Sequence, residues 1–164
     1  MTMNILVCTI ITDVITMYIF LDVDGVLNRQ SDWKRPFSLN DECCDWFNTL
    51  IKDLPNVKIV LSSTWRNGIS RDGSRAAHID DLMDRLKAAG IETIDKTATS
   101  PDGFRNKEID FYLRRHPADS YVILDDEESI FAGGKDTTNL YLTDSNLGFT
   151  ELDYKRLKKL LGRR

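Results

Sequence analysis

Apolar residues along the chain fall into two patterns, and the two alternate. "YIFLDV" (18–23), "VKIVLS" (57–62) and "YVILDD" (121–126) are near-continuous apolar runs that end in polar residues. Runs of that length predict strands covered on both faces, as in a parallel sheet. Between them, apolar positions recur at helical spacing. Cys43, Phe47, Leu50, Ile51 and Leu54 share one face of a helix predicted over 39–54. Ser38 is its expected cap, with Asp41 three residues on, and Pro55-Asn56 is its stop. Ile79, Leu82, Met83 and Leu86 form a second stripe, closed by Gly90. A third helix is predicted over 105–116, halted by Pro117. A fourth starts at Thr150, where Asp153 completes a capping box ahead of Leu152, Leu157, Leu160 and Leu161. "IETI" (91–94) and "NLYLTD" (139–144) complete a set of five strands.

Strands alternating with helices predict an α/β fold: a Rossmann-like parallel sheet with helices on both faces and right-handed crossovers. The 164 residues suggest one domain, placed at 17–164. The apolar stretch before it, "ILVCTIITDVITMYIFL" from residue 5, carries Asp13 and has no basic flank. It fits neither a signal peptide nor a membrane span. Residues 1–16 are read as a translated leader or as an extra edge strand. The leader is preferred because the chemistry begins directly after Met17.

Composition narrows the class. Hydrophobic residues make up 41% and charged residues 29%, an ordinary globular balance. A net charge of -4 argues against a basic face that coats duplex nucleic acid. The three cysteines, Cys8, Cys43 and Cys44, form neither a disulfide framework nor a metal spacing, so a reduced, cytoplasmic protein is expected. No membrane association and no obligate protein partner is expected.

The chemistry is sought beyond the carboxyl ends of the strands, where ligands of open α/β sheets bind. The first strand ends in Asp22 and Asp24, the second in Ser62, Ser63 and Thr64, and the fourth in Asp125 and Asp126. Arg105 and Lys107 open the helix before the fourth strand. Three or four clustered carboxylates cannot all stay ionised without a cation. Oxygen ligands with few histidines suit a hard divalent ion, with Mg²⁺ as the default, and Mg²⁺ calls for a phosphate-bearing ligand. A Ser hydroxyl and a Lys or Arg supply the remaining parts of a phosphate site. Gly25 allows a tight turn beside the acids. Taken singly, each feature reads as a turn, a cap or a solvated loop; their joint order is what points to a site.

At these residues the chain resembles the haloacid dehalogenase-like (HAD) phosphohydrolase superfamily. "IFLDVDGVLN", "KIVLSS" and "VILDDEES" look like motifs I, II and IV, and Arg105 or Lys107 in "FRNKEI" fills motif III. More narrowly, "LDVDGVLN", "VLSSTWR", "RNKEI" and "YVILDDEES" are similar to the small HAD domains of RNA-repair proteins and to the phosphatase half of polynucleotide kinase-phosphatases. The resemblance implies a Mg²⁺-dependent phosphomonoesterase. Asp22 would be the nucleophile that forms an aspartyl-phosphate, and Asp24 the general acid and base. Mg²⁺ would be held by Asp22, the Asp24 carbonyl, and Asp125 or Asp126. Ser62 and Ser63, with Arg105 or Lys107, would bind the phosphoryl group.

Neither inter-motif stretch has room for a large cap, so the site is expected to be open to large substrates. "WRNGISRDGSR" places Arg66, Arg71 and Arg75 after the second strand, as phosphate contacts or as ordinary loop residues. Trp33 and Trp65 are read either as stacking surfaces for bases or as core. The basic "KRLKKLLGRR" is read as cations at a helix C-terminus. The expected substrate is a nucleotide or polynucleotide terminus. A sugar-phosphate phosphatase, a receiver-type phosphoacceptor and a non-catalytic phosphate-binding module are the competing readings.

Overall fold

The computed structural model describes residues 15–131 and 138–162. Among the described residues, five strands form one parallel sheet: β1 (Met17–Leu21), β2 (Val57–Leu61), β3 (Ile94–Lys96), β4 (Ser120–Asp125) and β5 (Leu140–Leu142), in the order β3-β2-β1-β4-β5. The described residues also form four α-helices: α1 (Asp41–Asp53), α2 (Ala77–Lys87), α3 (Arg105–Arg115) and α4 (Glu151–Leu161). The strand order runs outward from β1 to β3, then returns to β4. That creates a topological switch point between β1 and β4, where such sheets bind ligands. A receiver fold has the order 2-1-3-4-5 instead, so the sheet excludes that reading.

Side-chain parity divides the core. Met17, Ile19, Leu21, Ile59, Leu61, Val122 and Leu124 face one side, against Phe47 and Leu50 of α1, Leu82 and Leu86 of α2, and Leu157 of α4. Tyr18, Phe20, Val60 and Ile123 face the other, against Ile109 and Tyr112 of α3. Apolar residues at every strand position are therefore the expected consequence of a sheet sandwiched by helices. Each full burial of such a side chain is worth roughly 1.5–3 kcal/mol.

Three local expectations change. Asn40, not Ser38, caps α1: its side chain accepts from the Cys43 N–H, while the Ser38 hydroxyl donates to the Asp32 carbonyl. The third strand is Ile94–Lys96 rather than 91–94, because Ile91 is buried beneath the α2 terminus and pairing with β2 begins at Ile94. The fifth strand shortens to three residues. The Thr150–Asp153 capping box forms as expected. Between β1 and α1 and between β2 and α3, the described residues hold loops, short 3-10 turns, α2 and β3, with no inserted cap domain. Among the described residues no helix is long and apolar enough to cross a membrane. The leader or edge-strand reading of residues 1–16 falls almost wholly outside the described residues.

Candidate active site

Strand register assembles the site. Leu21 pairs with Leu61 on one side and Leu124 on the other. One residue further on, Asp22 therefore falls between Ser62 and Asp125. The ladder continues there, with Ser62 N–H donating to the Leu21 carbonyl (3.1 Å) and Asp22 N–H to the Leu124 carbonyl (2.9 Å). Alternation puts Asp22 on the side of Phe20, and that is the side α3 covers. Arg105, the first residue of α3, reaches these acids: its Nη1 donates to Asp22 Oδ1 (2.9 Å) and also to Asp125 Oδ2.

The acids are held in electrostatic conflict. Carboxylate oxygens of Asp22, Asp125 and Asp126 lie within 4.8 Å of one another. Burial, then the Asp125 charge, push the Asp22 carboxyl well above its ordinary value, against the pull of Arg105. Burial also raises Asp125, again opposed by Arg105. Asp126 is pushed up to about 6 by burial and by Asp125. Burial works against the Arg105 charge, yet Asp22 and Asp125 outweigh it and strengthen its hold on the proton. With all three acids ionised, the one guanidinium would leave an excess of two negative charges. That donor set, all oxygen and half enclosed, fits a hard divalent cation. The Ser62 hydroxyl is buried and has no hydrogen-bond partner among the described residues, so a free polar group stands beside Asp22.

Asp24 is set apart from the three-acid group and is clamped. Its Oδ1 accepts from Asn28 Nδ2 (2.7 Å) and its Oδ2 from Trp65 Nε1 (3.0 Å). Asn28 Oδ1 in turn accepts from the Gly25 N–H and from Trp33 Nε1, both at 2.9 Å, and its Nδ2 also donates to the Ser38 carbonyl. Gly25 has φ 77°, and a Cβ there would overlap the Asp126 carboxyl. Its carbonyl accepts from the buried Thr143 hydroxyl (2.8 Å), which ties the turn to the end of β5. Asn28, Trp65 and Thr143 were not singled out for these roles from sequence. Asn28 had one visible cue: a polar residue closing the apolar "GVLN".

Several expected contacts lie elsewhere. Lys107 is exposed and pairs with Asp102, so Arg105 is the cation that faces the acids. The Ser63 hydroxyl accepts from the Trp65 N–H and caps a 3-10 turn. Arg66 turns inward: it forms a two-pronged pair with Glu108 of α3 (2.6 and 3.0 Å) and donates to the Ser62 carbonyl and Thr97 Oγ1. A guanidinium so enclosed has no face left for substrate. Arg75 is exposed and pairs with Asp80, and Arg71 is exposed; neither lines the acid cavity. Trp65 is fully buried, which removes it as a stacking surface, whereas Trp33 stays 42% exposed.

The cavity over these groups, about 180 Å³, is lined by Asp22, Asp24, Trp33, Arg105, Asp125 and Asp126 among others. A buried acid beside a guanidinium, a second clamped acid and an unpaired hydroxyl make a set suited to phosphoryl chemistry. Comparison with curated proteins gives no match. A family model described as the HAD domain in Swiss Army Knife RNA repair proteins matches residues 18–154, a span that includes every acid of the cavity. The chain belongs to that HAD family, whose fold the five-stranded parallel sheet reproduces.

Proposed function

We propose that the protein is a Mg²⁺-dependent phosphomonoesterase that works through an aspartyl-phosphate on Asp22, with nucleotides or polynucleotide termini as substrates. The observation that carries this reading is the convergence of Asp22, Asp125 and Asp126 opposite Arg105. Asp22, Asp125 and Asp126 would hold the metal, which when bound neutralises the acids and the incoming phosphate. Arg105 offsets charge on the phosphoryl oxygens, and the Ser62 hydroxyl donates to one of them. An Asp22 carboxylate oxygen attacks phosphorus and the bond to the leaving oxygen breaks. Asp24, in its protonated form, gives that oxygen a proton and so becomes a carboxylate. The same carboxylate then takes a proton from the water that attacks the aspartyl-phosphate, which releases inorganic phosphate and restores Asp22. The clamp by Trp65 and Asn28 holds Asp24 at one station for both transfers.

The test is phosphate release by wild type and Asp22→Asn, with Mg²⁺ and with chelator, on a terminally phosphorylated oligonucleotide, free nucleotides and sugar phosphates. Loss of at least about 10³-fold is expected for the variant, in line with removal of a covalent nucleophile. An unchanged rate in Asp22→Asn would refute the mechanism. Equal or faster turnover of sugar phosphates would refute the substrate class.

A further inference from the structure

The acid cavity does not end at Asp24. Asp24 and Trp33 also line an adjoining cavity of about 310 Å³, whose other walls are Arg35, Pro36 and Phe37. The same three residues border a third cavity of about 700 Å³ that reaches His78 at the start of α2. A groove therefore runs from the acids along the loop 29–38.

Three features of that groove go beyond what folding requires. Trp33 and Phe37 are 42% and 49% exposed, two large rings within five residues on one wall. Arg35 lies between them, exposed, and its guanidinium makes no ion pair among the described residues. Phe37 adopts φ 56°, a left-handed backbone that costs a bulky residue energy. The strain holds its ring against His78, stacked at 4.0 Å and 15°, and edge-on to the buried Trp65 at 5.3 Å. Trp33 is fixed through its Nε1 donation to Asn28, the residue that also clamps Asp24. Both rings are thus braced from below while part of each is bare. Rings held rigid at half exposure, with an unpaired cation between them, match the face of a nucleobase and the charge of the phosphodiester beside it.

We infer that the Trp33–Arg35–Phe37 wall is a stacking shelf for the unpaired nucleotides next to the scissile terminal phosphate, so that the ligand is a single-stranded polynucleotide end. Trp33 takes the base nearest the acids, Arg35 the first internucleotide phosphate, and Phe37 the next base. The inference rests on the reading of the acid cavity as a phosphatase site, but its test does not depend on turnover.

Binding is measured by fluorescence anisotropy with the full chain carrying Asp22→Asn. One probe is a labelled thymidine hexanucleotide with a 3′-terminal phosphate, and the other is the same backbone with abasic units. A preference of roughly 10-fold or more for the base-bearing probe is expected from stacking. Adding Trp33→Leu should reduce that preference to near unity. Adding Trp33→Phe, which keeps a ring and loses the N–H, should retain most of it; this separates stacking from damage to the Asn28 clamp. Absence of a base preference, its survival in Trp33→Leu, or equally tight binding of a phosphoserine peptide would overturn the shelf. Failure of the phosphatase reading shows separately, as absence of Mg²⁺-dependent phosphate release by wild type with the base preference intact.

Discussion

Glu108 is three residues along α3 from Arg105, and its pair with Arg66 joins that helix to the loop after β2. Glu108→Gln keeps the shape and removes the charge. The pair is enclosed, with side chains 11% and 2% exposed, so solvent cannot replace what is lost. The Gln amide also turns an N–H donor toward a guanidinium that has no acceptor to offer it. Breaking a buried pair by removing one partner costs about 3–5 kcal/mol. Arg66 keeps its bonds to the Ser62 carbonyl and Thr97 Oγ1, which places the expected loss at the low end, about 3 kcal/mol. For a domain of this size that corresponds to a drop in melting temperature of about 6–12 °C. Urea unfolding of wild type, Glu108→Gln, Glu108→Leu, Arg66→Met and the double variant Arg66→Met/Glu108→Leu measures it, the last three with wild type closing a double-mutant cycle. The apolar pair should cost much less than the two single losses summed. Phosphate release should fall about 10- to 100-fold in Glu108→Gln, since Arg105 and Ser62 lose their common anchor. Additivity within about 0.5 kcal/mol in the cycle would refute the idea that this pair braces the site.

Three further outcomes are expected. Gly25→Ala, at φ 77° and against the Asp126 carboxyl, should cost about 1–2 kcal/mol from the backbone alone and weaken Mg²⁺ binding, read by calorimetry; wild-type affinity would refute the close approach. Asn28→Ala strands the Gly25 N–H and Trp33 Nε1–H and frees one oxygen of Asp24, so stability should fall by about 2 kcal/mol and kcat should fall more than KM changes. In the metal-free chain, Asp22, Asp125 and Asp126 are all raised, with Asp126 near 6. The unfolded chain sheds these protons at lower pH, so stability is full below the ordinary carboxylate range and lost as pH rises toward the raised folded values. Mg²⁺ should therefore raise the melting temperature more at about pH 7.5 than at about pH 5. An equal shift at both would count against a metal held by these acids.

The strands and the acid positions were legible because both are local. An apolar run such as "YIFL" names a buried strand by itself, and order along the chain then puts Asp22, Ser62 and Asp125 at strand ends. What was not legible depends on distant partners. Arg66 and Arg75 occupy one loop and read alike, yet one meets Glu108 across 42 positions and the other stays on the surface with Asp80. Lys107 and Arg105 differ by two helix positions, which sends them to different sides, and only the packing of α3 decides which side holds the acids. "IETI" carries the stronger strand propensity, but Ile91 is needed under α2, so the polar "IDK" pairs instead. Trp65 reads from sequence either as a stacking aromatic or as core; the fold decides for core, with its ring buried and its N–H donated to Asp24.

The register at Leu21, Leu61 and Leu124 makes β1 a measuring rod. The number of residues from Met17 to Leu21 counts out where the next carboxyl lands, and an odd miscount turns it toward α1, α2 and α4, away from Arg105. A one-residue slip of β1 against β2 and β4 would thus invert the chemistry, whereas a two-residue slip would keep the orientation and change only the reach. The side on which Asp22 emerges is therefore set by the parity of that pairing, independent of any demand the substrate makes.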